Sequence, residues 1–252
     1  MLRILHQDDH LVAVEKPAGL LAHPSKMAAD ATDSLMARLR DQLGRRVFLA
    51  HRLDRATSGV LVAAFDPDVA ARLGEQFMER SVDKTYLALV RGWPESEGII
   101  DYALDAPGKP LRKPAVTRFR VLHTVQLPIA IGRYASARWA LMEVRPESGR
   151  YRQIRRHFHH IHHHVLGDTS HGDGRHNRAM RQHFGVHRLM LHAWRVRLAH
   201  PADGRVIEVV APVDAEWLDL MARLGWTEPR SGACRTGLEY GLLCAPPARS
   251  PP

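Results

Sequence analysis

Apolar and polar positions along the chain follow two periods, and the switches between them predict its elements. Leu11 to Val14 is a predicted strand that stops at Lys16-Pro17 and gives way to a turn at Gly19. Ser34 to Leu43 has the spacing of an amphipathic helix ending near Gly44. Two apolar runs, VFLA (47–50) and VLVAAF (60–65), then bracket a polar stretch and predict two buried strands. The segment between them, within HRLDRATSGVLV (51–62), is therefore placed in a connection at the mouth of a sheet, where chemistry is often carried. Asp66 and Pro67 supply an N-cap and a first helical residue, and Val69, Leu73 and Phe77 give that helix an apolar face.

Thr85 to Val90 is a predicted strand with Tyr86, Ala88 and Val90 on one face. Residues 98–114 are turn-rich and predict a loop, with strands again at Ala115 to Val121 and Arg138 to Val144. A helix is expected from Tyr151, its buried stripe formed by Ile154, Phe158 and Ile161. RLMLHAWRVRLAH and RVIEVVAP are late strands joined by a Pro-Ala-Asp-Gly turn, Trp217 to Leu224 forms a last short helix, and a disordered tail is expected over 228–252. There is no internal repeat and no regular βαβ alternation. The expected fold is α+β, a mixed and largely antiparallel sheet flanked by helices and loops, with one domain over 1–227.

Composition narrows the setting. A chain of 252 residues with 45% hydrophobic positions can bury a full core. No apolar run approaches the roughly 20 residues of a membrane-spanning helix, and MLRILHQDDH has no signal-peptide core, so a cytoplasmic protein is expected. The formal net charge of +9, with 17 histidines besides, suits a polyanionic partner without specifying the fold. Cys234 and Cys244 are the only cysteines, lie in the tail, and have no zinc or redox spacing.

Three stretches carry candidate chemistry. Asp54 stands between Arg52 and Arg55, and neighbouring cations favour the charged form of a carboxylate. On those grounds it is a nucleophile, a metal ligand, or an ion pair that ties down a loop. An aspartic-protease motif is excluded because Asp54 is followed by Arg55-Ala56. In DKTYLALVRGW (83–93), small Ala88 on the face of Tyr86 leaves space over the ring for a planar group; an ordinary boundary tyrosine fits equally. In SGRYRQIRRHFHHIHHHVLGD (148–168), Arg155 borders the Ile154/Phe158 stripe, where a guanidinium can grip a partly buried carboxylate bidentately, whereas Arg152 and Arg156 point further toward solvent. The alternative is a solvated basic helix face that binds phosphate. His159 and His163 share an i, i+4 spacing without the glutamate of HExxH, so no metal site is assigned to the His-rich run 157–164.

In order and spacing, HRLDRATSGVLV, DKTYLALV and SGRYRQIR resemble the three motifs of the RluA-type pseudouridine synthases, and VAVEKPAGLLAHP and RLMLHAWRVRLAHP resemble further family segments. The similarity runs from about residue 2 to residue 213. The HGDGRHNR segment (171–178) resembles the tRNA-directed branch of that family, which acts on uridine 65. No N-terminal S4 RNA-binding domain is expected ahead of the catalytic segment. The resemblance implies the family's catalytic fold, with an active-site cleft across the sheet, and a monomeric enzyme that isomerises uridine in tRNA with neither cofactor nor metal.

It also implies residue roles. Asp54 would be the nucleophile, attacking the sugar C1′ or the base C6 before the glycosidic bond breaks, the base turns, and C5 rejoins the sugar. Tyr86 would stack on the base and help remove the C5 proton. Arg155 would pair with and orient the aspartate, and Arg52 would enter the helix stack where the flipped uridine leaves. Arg55, Arg150 and Arg152 are the accompanying RNA contacts. Two positions depart from the family pattern: Arg152 replaces a usual histidine and Ser148 a usual threonine. Serine keeps the hydroxyl, so the change at Arg152 bears more on RNA affinity than on chemistry. Two other functions share parts of this reading. A ribosomal-RNA-directed synthase would differ in its target, and a non-catalytic basic RNA-binding protein would not need Asp54.

Overall fold

Strand β4 (Ser58–Ala64) is buried along its whole length, because its continuous apolar run lies inside a sheet covered on both sides. The computed structural model describes residues 1–23 and 33–229. In chain order the described elements are β1 (Arg3–Gln7), β2 (Leu11–Lys16), α1 (Leu35–Leu43), β3 (Phe48–Leu49), β4, α2 (Pro67–Glu79), β5 (Asp83–Arg91), β6 (Glu97–Asp101), β7 (Leu104–Ala106), β8 (Lys109–Lys113), β9 (Val116–Leu127), β10 (Ala137–Pro146), α3 (Gln153–His160), α4 (Gly174–Phe184), β11 (Leu191–Ala199), β12 (Val206–Val210) and α5 (Ala215–Arg223). Ten strands form one sheet in the order β1-β2-β4-β11-β5-β10-β9-β6, with β12 on β11 and β3 on β4; β7 and β8 make a separate hairpin. Among these pairings only β4 with β11 is parallel, so the sheet is largely antiparallel, as expected.

The alternation along β5 and β10 sorts residues between two layers. Val144 pairs with Tyr86 and Ala140 with Val90. Ala88, Val90, Ala140, Met142 and Val144 share a face and pack under Ile154 and Phe158 of α3. Leu87, Leu89, Trp139 and Leu141 face the other way, against Met180 of α4 and Trp217 and Leu220 of α5. Helix α1 covers β2 and β4 through Leu35 and Leu39, while Val69 and Leu73 of α2 pack on their opposite face. Capping follows the sequence: the Ser34 hydroxyl accepts from Ala37 N (3.2 Å), and the Asp66 carboxylate accepts from the amides of Asp68 and Val69 (2.8 and 3.3 Å).

Four expectations need correction. Residues 98–114 are not a loop: Glu97–Asp101 is the edge strand beside β9, and β7 and β8 form a hairpin around Pro107-Gly108. An edge strand and a small hairpin bury little, so their apolar alternation is weak and the turn residues dominate the pattern. Helix α4 was not expected, because it is cationic and buries only Asn177, Ala179 and Met180; its marks are its caps, Asp173 and Gly185. Helix α3 starts at Gln153 rather than Tyr151, and Ile161 is its C-cap. VFLA contributes only the two-residue β3. The expected tail, apart from Glu228 and Pro229, lies outside the described residues, as do Cys234 and Cys244.

Candidate active site

Asp54 sits in the connection between β3 and β4, and the residues around it explain why that loop is fixed. His51 stacks on Phe77 with ring centroids 4.3 Å apart, and its Nε2 accepts from Val62 N (3.0 Å). Burial, reinforced by the charge of Lys84, pushes this imidazole down to about 3, so it is a neutral anchor. At the start of β4 the Ser58 hydroxyl meets His192 Nδ1 (2.8 Å) and accepts from Arg188 Nη2 (2.6 Å). Because His192 Nε2 faces the Ala211 carbonyl (3.0 Å), Nε2 carries the proton and Nδ1 receives that of Ser58. Directly behind the loop, Gly59 has φ +113°, and a Cβ there would lie 2.1 Å from the Ala193 carbonyl oxygen. Only glycine lets β4 and β11 meet in parallel at this point.

Lys16 ties the other side of the loop. It is fully buried, and its Nζ donates to the carbonyls of Pro17 (2.8 Å), Leu20 (2.8 Å) and Arg55 (3.0 Å). Burial, and next the charge of Arg188, pushes the ammonium down to about 7 from its ordinary 10.5. Below about 7 the lysine is charged in both folded and unfolded chains, and the penalty for burying that charge is complete. Between 7 and 10.5 the unfolded chain holds the proton more tightly, so folded stability rises with pH; above 10.5 the group makes no further difference. Urea unfolding of wild type and Lys16→Met at neutral pH and at about pH 9.5 checks this: the difference in stability should move toward the wild type at high pH by an amount on the order of a few kcal/mol. A pH-independent difference would show that the buried ammonium carries no penalty.

Arg155, on the buried side of α3, joins two carboxylates. Its Nη1 donates to Asp54 Oδ2 (2.9 Å), while Nε and Nη2 donate to Asp168 Oδ2 and Oδ1 (2.6 and 2.7 Å). The bidentate grip expected for Arg155 thus falls on Asp168, and only one oxygen of Asp54 is engaged by the guanidinium. Side-chain exposure is 6% for Arg155, 1% for Asp168 and 24% for Asp54, so the pair beneath is sealed and Asp54 alone reaches the surface of the site. Burial by itself would raise the Asp168 carboxyl; Arg155 and the amides of His171 and Ser170 outweigh it and hold the group below its ordinary value. Asn177 braces the same turn, donating from Nδ2 to the Asp168 carbonyl and accepting from Gly167 N, both at 2.8 Å. At Gly167, with φ +76°, a Cβ would lie 1.8 Å from the Arg188 carbonyl oxygen, so no other residue fits.

Above this group lies a cavity of about 300 Å³ lined by Arg52, Asp54, Tyr86, Arg150, Arg152 and Arg155, among others. It meets the smaller end of the volume range of small-molecule pockets. The sheet supplies Tyr86, α3 supplies Arg155, and two connections supply the rest, so the cleft crosses the sheet. Tyr86 is partly buried; burial and then the charge of Asp54 raise its phenol above the ordinary range, which keeps it protonated at neutral pH. Ala88 does not line the cavity: it is fully buried with Ile154, Phe158 and Leu191, so the space beside Tyr86 comes from the packing of α3 rather than from the small residue two positions on.

The remaining predicted residues separate. Arg52 is exposed at the rim. Arg55 does not line the cavity; its Nε donates to the Gly19 carbonyl (2.9 Å) and its backbone carbonyl accepts from Gly19 N (2.8 Å), tying the loop to the turn after β2. Arg150 Nε donates to the Pro114 carbonyl (3.2 Å). Arg152 takes a left-handed conformation, φ 51°, ahead of α3, and its guanidinium lies 5.0 Å from the Tyr151 ring centroid. In place of a side-chain cap from Arg152, Gln153 Oε1 accepts from the Ser148 hydroxyl (2.8 Å) and Arg150 N (3.0 Å), so Ser148 uses its hydroxyl to fix the turn. Arg156, expected toward solvent, is partly buried against Asp105. The His159/His163 spacing is not realised on one helix, because α3 ends at His160 and His163 turns to the Arg91 carbonyl. Among the described residues no group of three or more His, Cys, Asp or Glu side chains is arranged to hold a metal ion, and no helix is long and apolar enough to cross a membrane.

Asp168, Asn177, Lys16 and His51 were not singled out by sequence reasoning. Asp168 follows Val165-Leu166-Gly167 like any turn aspartate, and its partner is distant in sequence; Asn177 lies in the HGDGRHNR segment, whose composition alone marks it as unusual.

Comparison with known proteins converges. The family described as RNA pseudouridylate synthase matches residues 10–160. The chain is 47% identical over 237 residues to the tRNA pseudouridine synthase C of Pectobacterium carotovorum, a match spanning 90% of this chain and 63% of that protein, and 44% identical to its namesake from Vibrio cholerae over 90% of this chain and 98% of that one. Two human structures, RNA Pseudouridylate Synthase Domain Containing 4 and Domain Containing 1, superpose with TM-scores of 0.68 and 0.67 at 27% and 26% identity, covering 90% and 91% of this chain and 95% and 97% of theirs. A sheet of this order, three motifs meeting at one cleft, and matches over nine-tenths of the length lead to one conclusion: the chain belongs to the RNA pseudouridylate synthase family, in its RluA-type branch.

Proposed function

We propose that residues 1–227 form a cofactor-free, monomeric, cytoplasmic enzyme that isomerises uridine to pseudouridine in tRNA, at uridine 65, with Asp54 as nucleophile. The observation that carries the reading is the buried Arg155–Asp168 pair, which presents one guanidinium nitrogen to Asp54 at the floor of a cavity rimmed by arginines. With two of its nitrogens committed to Asp168, Arg155 orients Asp54 while engaging a single oxygen. The carboxylate then attacks C1′ or C6, the N1–C1′ bond breaks, and the freed uracil turns; C5 bonds to C1′ and the Asp54 carboxylate is released again, displaced from C1′ or eliminated from C6. C5 gives up its proton and N1 ends protonated, so no atoms are gained or lost.

Tyr86, protonated and packed at the cavity wall, is a stacking surface for the base; it acts on the C5 proton only by passing its own proton onward. Arg52, exposed at the rim, fills the stack after the uridine leaves, offsetting part of an unstacking cost of roughly a few kcal/mol. A tRNA substrate is favoured by the names of the relatives, and the position by the resemblance of the HGDGRHNR segment. Pseudouridine mapping of total RNA from cells with and without the gene, and of an unmodified tRNA transcript treated with purified protein in chelator, tests the reading. A single tRNA site lost without the gene and restored in the transcript is the expected result. Loss from ribosomal RNA instead would reassign the substrate, and dependence on added metal would overturn the mechanism.

A further inference from the structure

A second cavity of about 440 Å³ opens at the far end of β5 and β10, lined by Arg91, Tyr134, Arg138, Asp173, Arg175 and His176 among others. We infer that it is a second RNA-binding subsite, which holds an unpaired nucleotide of the substrate outside the target stem by stacking its base and contacting its phosphate. The inference rests on the proposed RNA substrate and adds where that RNA is gripped.

Three observations carry it. Period 2 along β10 places Arg138 on the same sheet face as Ala140, Met142 and Val144, and Val144 pairs with Tyr86, whereas Arg91 pairs with Trp139 of the other layer, so the second cavity wraps the end of the two strands whose one face carries the Tyr86 site. Along β5 the chain from Tyr86 to Arg91 spans roughly 17 Å at about 3.3 Å per residue, a separation that takes the RNA backbone past several nucleotides. The HGDGRHNR segment links the sites: His171 lines a surface pocket with Arg152, Asn177 braces Asp168, and Asp173, Arg175 and His176 wall the second cavity.

The chemistry suits a nucleotide. Tyr134 and Trp93 are 59% and 43% exposed, unusual for large aromatic side chains, and each carries a guanidinium over its ring, Arg133 at 5.1 Å and Arg138 at 4.6 Å. Arg133, Arg138 and Arg175 make no ion pair with a carboxylate among the described residues. The carboxylate in the lining does not repel phosphate strongly, because Asp173 is paired with Arg91 and accepts from the amides of Arg175 (2.9 Å) and His176 (3.4 Å). Exposed rings beside unpaired guanidiniums are the combination that grips single-stranded nucleic acid. The wall is fixed rather than a loose loop: Trp139 Nε1 donates to His176 Nδ1 (3.0 Å), and a Cβ at Gly132 would lie 2.8 Å from Arg175 Nη1.

The test is the double variant Tyr134→Ala/Arg175→Ala, both residues being exposed and outside the lining of the Asp54 cavity. Steady-state kinetics are measured on an unmodified full-length tRNA transcript and on a minihelix containing only the target stem and loop. KM for the full transcript should rise about tenfold, the loss expected for one forfeited stacked base, with kcat unchanged and minihelix kinetics equal to wild type. The slope of log affinity against log salt for the full transcript should become shallower by about 0.7 for each single-strand phosphate that the variant no longer neutralises. An unchanged KM on the full transcript, or an equal loss on both substrates, overturns the subsite. If wild type isomerises neither transcript, it is the tRNA reading that fails, and the subsite is judged by binding of a single-stranded oligouridylate: weaker binding by the double variant supports it and equal binding rejects it.

Discussion

Asp54→Asn protein is expected to bind the tRNA transcript with wild-type affinity and to form no pseudouridine, its turnover falling by about 10⁴-fold or more. Asparagine keeps the shape of the side chain and a carbonyl oxygen for Arg155 Nη1, but it has neither the charge nor the nucleophilicity that the proposed attack on C1′ or C6 demands. The fold should be spared for a reason visible in the site: Arg155 remains paired with Asp168 through two nitrogens, so removing the Asp54 charge leaves no uncompensated cation in the interior. Thermal melting within a few degrees of wild type, together with filter binding and single-turnover conversion, separates chemistry from folding. Measurable conversion near the wild-type rate would remove Asp54 from the mechanism.

Arg155→Lys should damage both stability and turnover, because one ammonium cannot reproduce three donors aimed in two directions. The side chain of Asp168 is only 1% exposed, so a poorly matched partner leaves a buried carboxylate short of hydrogen bonds. Breaking such a pair costs about 3–5 kcal/mol, and the charge retained by lysine should place the variant toward the lower end. Asp168 is held below its ordinary value, so its contribution is present above the usual carboxylate range and is lost as pH falls through the lowered folded value. Acid titration of unfolding stability should therefore show a shallower acid-side decline in Arg155→Lys than in wild type. Turnover is expected to drop about 100-fold with KM little changed, as when an orienting group that acts through the nucleophile is removed. Wild-type stability in the variant would show that the bidentate pair is dispensable.

The two experiments address different features. The first concerns the proposed nucleophile; the second concerns the support proposed to aim it. A variant at Asp54 that loses stability, or one at Arg155 that loses only RNA affinity, would mean that these roles are exchanged or absent.

Much of the fold was legible because its causes are local. The Asp66-Pro67 start, the amphipathic spacing over Ser34 to Leu43, the apolar runs of β4 and β5 and the late strands each carry their signal within a few residues. The three motifs were legible as well, and they are the segments that the structure brings around one cavity. What local pattern missed was weakly buried or cationic: the edge strand at 97–101, the hairpin after it, and α4, whose few buried residues give little periodicity.

The sequence by itself determined the chemistry available: an aspartate among arginines, a tyrosine on a strand, an arginine on the apolar border of a helix, and a net charge of +9. The tertiary structure alone decided which groups meet. Asp54 and Asp168 lie far apart in the chain, and their shared guanidinium exists only once α3 packs on β5 and β10 and Asn177 closes the turn at Gly167. Lys16, similarly, looks like the end of a strand until burial gathers three carbonyls around its nitrogen. Residue type and spacing fix local conformation and chemical potential, whereas burial, which sets the strength of every charge interaction here, is a property of the assembled layers.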